Sequence, residues 1–274
     1  MPAAEVDAAR AAEQLAACVR DAGALAHSMF GKPLKNWTKG ASASPVCETD
    51  IAVNELLRER LTAAGKNFDG TAFGWLSEES ADDPARLNAR HVWIVDPIDG
   101  TRAYIAGLPD WAVSAALIED GRPIAACLYA PVTAEFFVAR AKAGATLNGA
   151  TIAVSKGAEL KDARIAGPRN FLERFAAVAP PFTAMPRVRS LALRLARVAQ
   201  GIFDVAIAGA NSHDWDLAAA DLLVHEAGGA LTPFKGGIVT YNRPEPRHGM
   251  LVAAGRDRHA ALLELLGNGR LAFP

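Results

Sequence analysis

His91-Val92-Trp93-Ile94-Val95-Asp96-Pro97-Ile98-Asp99-Gly100-Thr101-Arg102 is a short β-rich run that ends on a carboxylate, with a second carboxylate three residues further on. Proline cannot donate to a ladder, so the spacing predicts a strand over 91–95 that stops at Asp96-Pro97. Gly100 lets the backbone approach a ligand closely, and Thr101 opens a predicted helix whose first amides can face phosphate oxygens. Taken alone, Asp-Pro-x-Asp-Gly is also a good turn. As a site, it brings two carboxylates to one point. At ~4 Å and an effective dielectric of ~20, two such charges repel by about 4 kcal/mol, so both stay ionised only with a cation between them. Hard oxygen ligands favour magnesium.

Downstream, apolar runs over 112–118, 124–130 and 135–139 are separated by Asp120-Gly121 and Pro131-Val132-Thr133 turn signals, the pattern of an antiparallel meander. Upstream, Val6, Ala9, Leu15, Ala16, Val19 and Leu25 are spaced for an amphipathic helix over 3–29. The stretch from Gly31 to Pro45, rich in Gly, Ser, Lys and Pro, reads as a flexible surface connection. Thr49 or Asp50 then caps a second helix that ends near Gly65. Beyond Lys156, short strands alternate with helices: a helix over 189–199, a strand over 202–208, and a helix over 215–227 closed by Gly228-Gly229. This divides the chain into an α+β lobe, 1–155, and an α/β lobe, 156–274.

The 274 residues are 51% hydrophobic and 22% charged, enough for a large core or two ordinary ones. A net charge of −1 with no basic run argues against a nucleic-acid polymer as partner, while a small anion can still be drawn to bound cations. Cys18, Cys47 and Cys127 lie far apart, which fits a reducing, cytoplasmic compartment rather than a disulfide framework or a thiolate zinc site. Charges break the first thirty residues, and no apolar stretch approaches the roughly 20 residues needed to span a bilayer, so no membrane partner is expected. No Gly-x-Gly-x-x-Gly turn in the first hundred residues supports a nucleotide-binding oxidoreductase.

Further acidic positions give the 96–99 pair company: Asp50 after Ser44-Pro45-Val46-Cys47-Glu48-Thr49, the Glu78-Glu79 pair, and Asp216 in Asp214-Trp215-Asp216. One at a time, Asp50 and Asp216 read as first-turn helix acids, and the glutamates as a solvated loop. In this order, ending at Glu226-Ala227-Gly228-Gly229, the segments from about Lys39 to Gly229 resemble the lithium-sensitive inositol monophosphatase superfamily. The resemblance implies an α/β (α+β) layered α/β/α/β/α sandwich of the inositol monophosphatase and fructose-1,6-bisphosphatase type. It also implies a magnesium-dependent phosphatase with two or three Mg2+ ions, inhibition by Li+, and a homodimer.

Carried over by position, Glu78, Asp96 and the Ile98 carbonyl hold one ion, and Asp96, Asp99 and Asp216 a second. Asp50 completes a third site or, with Thr101, orients and deprotonates the attacking water, with Glu78 also in the catalytic set. Cys47 stands where the family usually has threonine. Its plain reading is a small buried hydrophobe. Trp75, Trp93, Trp111 and Trp215 read as core around the site.

Substrate choice falls to Gly100, Thr101, Arg102, Arg194, Asn211 and His213. Arg102 is similar to the lysine or arginine of CysQ-type 3′(2′),5′-bisphosphate nucleotidases and also of histidinol-phosphate phosphatases. Ser190-Leu191-Ala192-Leu193-Arg194 is similar to the nucleotidases' Ser-Ser-Leu-Lys stretch, with Arg194 at the lysine. A guanidinium there can pair with a second phosphate. The stretch 207–213 lacks the acid with which inositol-type enzymes grip hydroxyls, and His213 reads equally as a helix cap. The expected order of substrates is adenosine 3′,5′-bisphosphate, then inositol monophosphate or another sugar phosphate, then histidinol phosphate. The reading from another class is a silent metal-binding scaffold.

Overall fold

A computed structural model describes residues 7–40, 44–65, 68 and 72–267. Helix α1 (Ala8–Met29) starts where the Asp7 carboxylate accepts from the Ala9 and Arg10 amides. Residues 3–6 of the predicted helix lie outside the described residues. Within the predicted flexible connection, β1 (Asn36–Lys39) pairs antiparallel with β2 (Ser44–Cys47), and residues 41–43 lie outside the described residues. Pro45 is tolerated because this two-stranded ribbon consists only of edges. Helix α2 (Glu48–Gly65) begins just before the predicted caps. Asp50, its third residue, reaches back to the Cys47 amide at 2.8 Å, so the carboxylate caps from inside the first turn.

The main sheet has seven strands in order of sequence: β3 (Gly74–Ser77), β4 (His91–Asp99), β5 (Ala112–Glu119), β6 (Arg122–Ala130), β7 (Glu135–Arg140), β8 (Ala145–Leu147) and β9 (Ala150–Thr151). It is antiparallel except for the parallel β3–β4 pair. All nine residues of β4 are buried. Val92 and Ile94 face one core, Trp93 and Val95 the other, which explains why the run lacks polar alternation.

The strand does not stop at Asp96-Pro97 as predicted. It continues to Asp99 through a bulge: Asp96 pairs with Ser114 and Asp99 with Ala112, one extra residue on β4. Pro97 sits inside that bulge, where no ladder donor is required. The bulge has a consequence for chemistry. Side chains three apart on a regular strand point to opposite faces, and the extra residue brings Asp96 and Asp99 to the same side.

After the short helix α3 (Thr101–Ile105) and the meander, the chain forms β10 (Arg164–Ala166), α4 (Arg169–Phe175), β11 (Thr183–Ala184), α5 (Leu191–Ala199), β12 (Val205–Ala208), β13 (Ser212–His213), α6 (Asp214–Glu226), β14 (Gly229–Pro233), β15 (Arg247–His248), β16 (Leu251–Gly255) and α7 (Arg256–Gly267). A second, mixed sheet runs β11-β10-β12-β16-β14. Helices α5 and α6 lie between the sheets, since one continuous core joins Ile94 and Leu128 of the first, Leu195 and Leu223 of the helices, and Ala206 and Ala253 of the second. Helices α1 and α2 cover the other face of the first sheet. Helices α4 and α7 cover the other face of the second, around Phe171, Phe175 and Leu262. The result is a five-layer α/β/α/β/α sandwich. No helix among the described residues is long and apolar enough to cross a membrane.

The last motif segment, Glu226-Ala227-Gly228-Gly229, is structural. The Glu226 carboxylate accepts from the Lys142, Ala143 and Gly144 amides at 2.8, 3.1 and 2.8 Å, tying α6 to the β7–β8 turn. Gly229 has no room for a side chain, because a Cβ would lie 2.7 Å from the Ala254 carbonyl oxygen. Glu226→Ala strands three amides and is expected to cost about 2 kcal/mol, read as a lower melting temperature with unchanged turnover per folded molecule. A lost activity with an unchanged melt would contradict this role.

Candidate metal and substrate site

The carboxylates arrive from separate elements at one place. Asp96 and Asp99 come from the β4 bulge, and Asp216 from the first turn of α6. One oxygen of each lies within 4.8 Å of the others. Asp96 Oδ1 accepts from the Ile98 amide at 3.0 Å, while Asp96 Oδ2 is buried with no partner at all. A buried charged oxygen without a donor is costly and is normally paired or bound to a metal.

Burial raises the Asp96 pKa well above the carboxylate range, and the charges of Glu78, Asp99, Asp216 and Asp50 raise it further. Burial and Asp99 do the same to Asp216, and burial with the neighbouring acids pushes Glu78 up to about 7. Four mutually repelling carboxylates of hard oxygen donors fit a divalent cation. Of the four expected acidic ligands, the structure brings Asp96, Asp99 and Asp216 together, with Glu78 in electrostatic reach of Asp96 and paired with Lys39 at 3.4 Å.

Asp99 is held from the far side. Its Oδ2 accepts from Ser190 Oγ and the Ala192 amide, each at 2.6 Å, and its Oδ1 from the Leu191 amide at 3.2 Å. Ser190 is the N-cap of α5, its hydroxyl accepting in turn from the Leu193 amide at 3.0 Å. Asp99 therefore sits on a helix N-terminus, which favours its charge against burial. Gly100, at φ 98°, makes this approach feasible: a Cβ would stand 2.9 Å from the Asp110 carbonyl oxygen and 3.3 Å from the Ser190 nitrogen.

On the opposite side, the Thr101 hydroxyl lies 3.1 Å from Asp50 Oδ1 and 3.0 Å from the Ile98 carbonyl oxygen. Asp50 Oδ2 accepts from the Cys47 amide at 2.8 Å and the Cys47 thiol at 2.9 Å. Burial and the Asp50 charge push the thiol up to about 12, so Cys47 stays a neutral donor.

Sequence reasoning overlooked three features. Lys39, assigned to a flexible connection, sits on β1 and donates to the Glu78 carbonyl at 2.8 Å and Glu79 Oε1 at 2.5 Å. Lys39 lies 39 residues before Glu78, so no local sequence pattern signals the contact. Ser190, quoted from the sequence only within the nucleotidase-like stretch, caps α5 and holds Asp99. Asp214, fully buried, accepts from the Asn242 amide at 2.7 Å and lies 2.6 Å from His248 Nε2, anchoring β13 to β15.

Of the proposed substrate residues, Arg102, Arg194 and Asn211 line a 1230 Å³ cavity that reaches Asp216. Arg187, Phe182 and Met185 line it too. His213 does not line it: its amide donates to Asp216 Oδ2 at 2.6 Å, and its ring stacks on Trp215 at 4.5 Å and accepts from Arg247. Trp93 and Trp111 are core, while Trp75 donates to Ser80 and helps hold the 77–80 turn that carries Glu78.

Carboxylates converge from a strand bulge and a helix end, beside a cavity in a five-layer sandwich, in an arrangement that could hold a cation next to a bound small molecule. The chain belongs to the inositol monophosphatase family, a family of phosphatases, whose model matches residues 7–269. It is 34% identical to an inositol-1-monophosphatase of Rhizobium meliloti over 71% of this chain and 74% of the relative. It is also 34% identical to a histidinol-phosphatase of Mycobacterium tuberculosis, over 82% and 86%. The fold superposes on the extragenic suppressor protein suhB from Bartonella henselae with a TM-score of 0.80 at 29% identity, covering 94% of this chain and 98% of that one.

Proposed function

We propose that this protein is a magnesium-dependent phosphatase of small phosphate monoesters that carry a second anionic group, adenosine 3′,5′-bisphosphate being the best of the class. One observation carries the choice: Arg102, Arg187 and Arg194 line the cavity without an ion pair among the described residues, and Arg194 Nε is buried with no acceptor. A shielded guanidinium without an acceptor is a site for an anionic oxygen. The other acid on the wall, Glu173, is already paired with Arg169 at 2.7 Å. That charge balance disfavours the ammonium of histidinol phosphate. Leu172, Pro180, Phe182 and Met185 offer an apolar wall for a flat base.

In the mechanism, Glu78, Asp96, Asp99, Asp216 and the Ile98 carbonyl would hold magnesium, which when bound lowers the pKa of water and offsets the charge growing on the leaving oxygen. Thr101 has one hydroxyl proton, and by donating it to Asp50 it turns a lone pair toward the attacking water. The water's proton then passes through Thr101 Oγ to Asp50. Burial raises the affinity of Asp50 for that proton, which suits a base. The first turn of α3, at Thr101 and Arg102, offers amides to the phosphate.

The test is phosphate release with Mg2+ from adenosine 3′,5′-bisphosphate, inositol 1-phosphate, fructose 1,6-bisphosphate and histidinol phosphate, with and without Li+. Arg194→Ala should lower kcat/KM about 100-fold on the bisphosphate and under about threefold on inositol 1-phosphate. Inositol phosphate turned over equally well, with no effect of the substitution, would overturn the substrate choice. Release from none of the four would overturn the enzyme.

A further inference from the structure

Arg194 stands four residues after Ser190, one turn further along the same face of α5. Ser190 Oγ touches Asp99, and Arg194 lines the cavity that Asp216 also lines. Arg194 therefore shares the cavity with Asp216 and stands one turn from the residue that holds Asp99. Burial opposes its charge most, while Asp99 and Asp216 favour the charge and Arg187 opposes it.

No described carboxylate holds it within 4 Å, and its Nε has no acceptor. Lys39, a cation beside the same acidic cluster, is by contrast committed to Glu78 and Glu79.

We infer that Arg194 couples ion loading to recognition of the substrate's second anion. This rests on the reading of the cavity as an anion site. Without an ion, the guanidinium offsets part of the Asp99 and Asp216 charge. A cation arriving among these carboxylates repels it toward the cavity, where it is then free to meet the anion. The coupling is reciprocal: an anion that claims Arg194 removes a competing positive charge and tightens the ion, and the ion tightens the anion by the same factor. A residue with this duty has an unusual signature. Removing it weakens the substrate and strengthens the metal.

The experiment is a calorimetric titration of Mn2+, without any ester, into the chelator-stripped full chain as wild type, Arg194→Met, Arg194→Gln and Arg194→Lys, with a thermal melt of each. Both neutral variants should bind Mn2+ about tenfold tighter, the scale of removing one unit charge beside a partly wet divalent site. Arg194→Lys should stay within about twofold of wild type, because the charge is retained. Affinity unchanged or weakened in a neutral variant that melts like wild type would overturn the coupling. The two neutral variants guard against one that folds poorly.

Because no ester is present, the arms separate. Tightening without turnover of any ester would support the charge balance and sink the substrate reading. Arg194-dependent turnover of the bisphosphate with no tightening would sink only the coupling.

Discussion

Asp99→Asn is expected to lower kcat by roughly 1000-fold while leaving the fold intact. Asp99 meets two demands at once. Its Oδ2 takes the Ser190 hydroxyl and the Ala192 amide at 2.6 Å each, while Oδ1, with one longer contact of 3.2 Å, remains available to a cation. An asparagine satisfies the first demand by turning its carbonyl oxygen to α5, which keeps both short bonds. It then presents an amide group, a donor, where the ion needs an acceptor.

Stability should scarcely change. Burial holds the Asp99 pKa up while three hydrogen bonds pull it down, so a neutral residue loses charge-assisted bonds and also loses repulsion from Asp96 and Asp216. The checks are steady-state kinetics, a Mn2+ titration showing weakened binding, and a melt within about 3 °C of wild type. Activity above a tenth of wild type would contradict the assignment of Asp99 as a ligand.

The same residue shows where sequence reading ends. Asp-Pro-Ile-Asp-Gly-Thr by itself is also a good turn, and the order of Asp50, Glu78 and Asp216 around it is what carries the family resemblance. The bulge that lets Asp96 and Asp99 converge was not legible: proline was read as a stop, and whether it stops or bulges a strand depends on the partner strand, here Ala112 to Ser114. Ser190 lies 91 residues from Asp99, and no local periodicity reports such a contact.

The 31–45 segment failed for a related reason. Its composition is that of a loop, yet pairing of Trp37 with Val46 and Thr38 with Pro45 makes it a ribbon, and only the ribbon places Lys39 over the Glu78-Glu79 turn. Helices α5 and α6 were found within two residues of their ends because their apolar faces are local properties. Their place between two sheets is a property of the whole chain.

Raising the pH from 5.5 to 8 in a chelator should lower the melting temperature, and Mg2+ should restore more stability at pH 8 than at pH 5.5. The direction follows from which state holds the proton. Glu78 titrates near 4.5 in the unfolded chain and at about 7 in the fold. Its stabilising protonation is complete below the unfolded value and is lost as pH rises through the folded one. Between the two, the folded state binds more protons, so stability falls with pH, by about 2 kcal/mol from pH 5.5 to 8 for this partly covered side chain.

Asp96 and Asp216 are raised in the same direction by the same burial and mutual repulsion. A cation replaces the protons, and its stabilisation is largest where the protons are gone. Asp96→Asn isolates the cause. Asp96 is the centre of the cluster, and its unpartnered Oδ2 would become an amide group facing carboxylates that can accept from it.

The metal-free variant should therefore melt higher than wild type at pH 8, with a flatter pH dependence, little response to Mg2+, and no turnover. Such a gain in stability with loss of function is what a site held in repulsion for the sake of an ion produces. A variant that melts below wild type in chelator at pH 8 would mean that the four carboxylates are not working against one another. The metal site would then need another explanation.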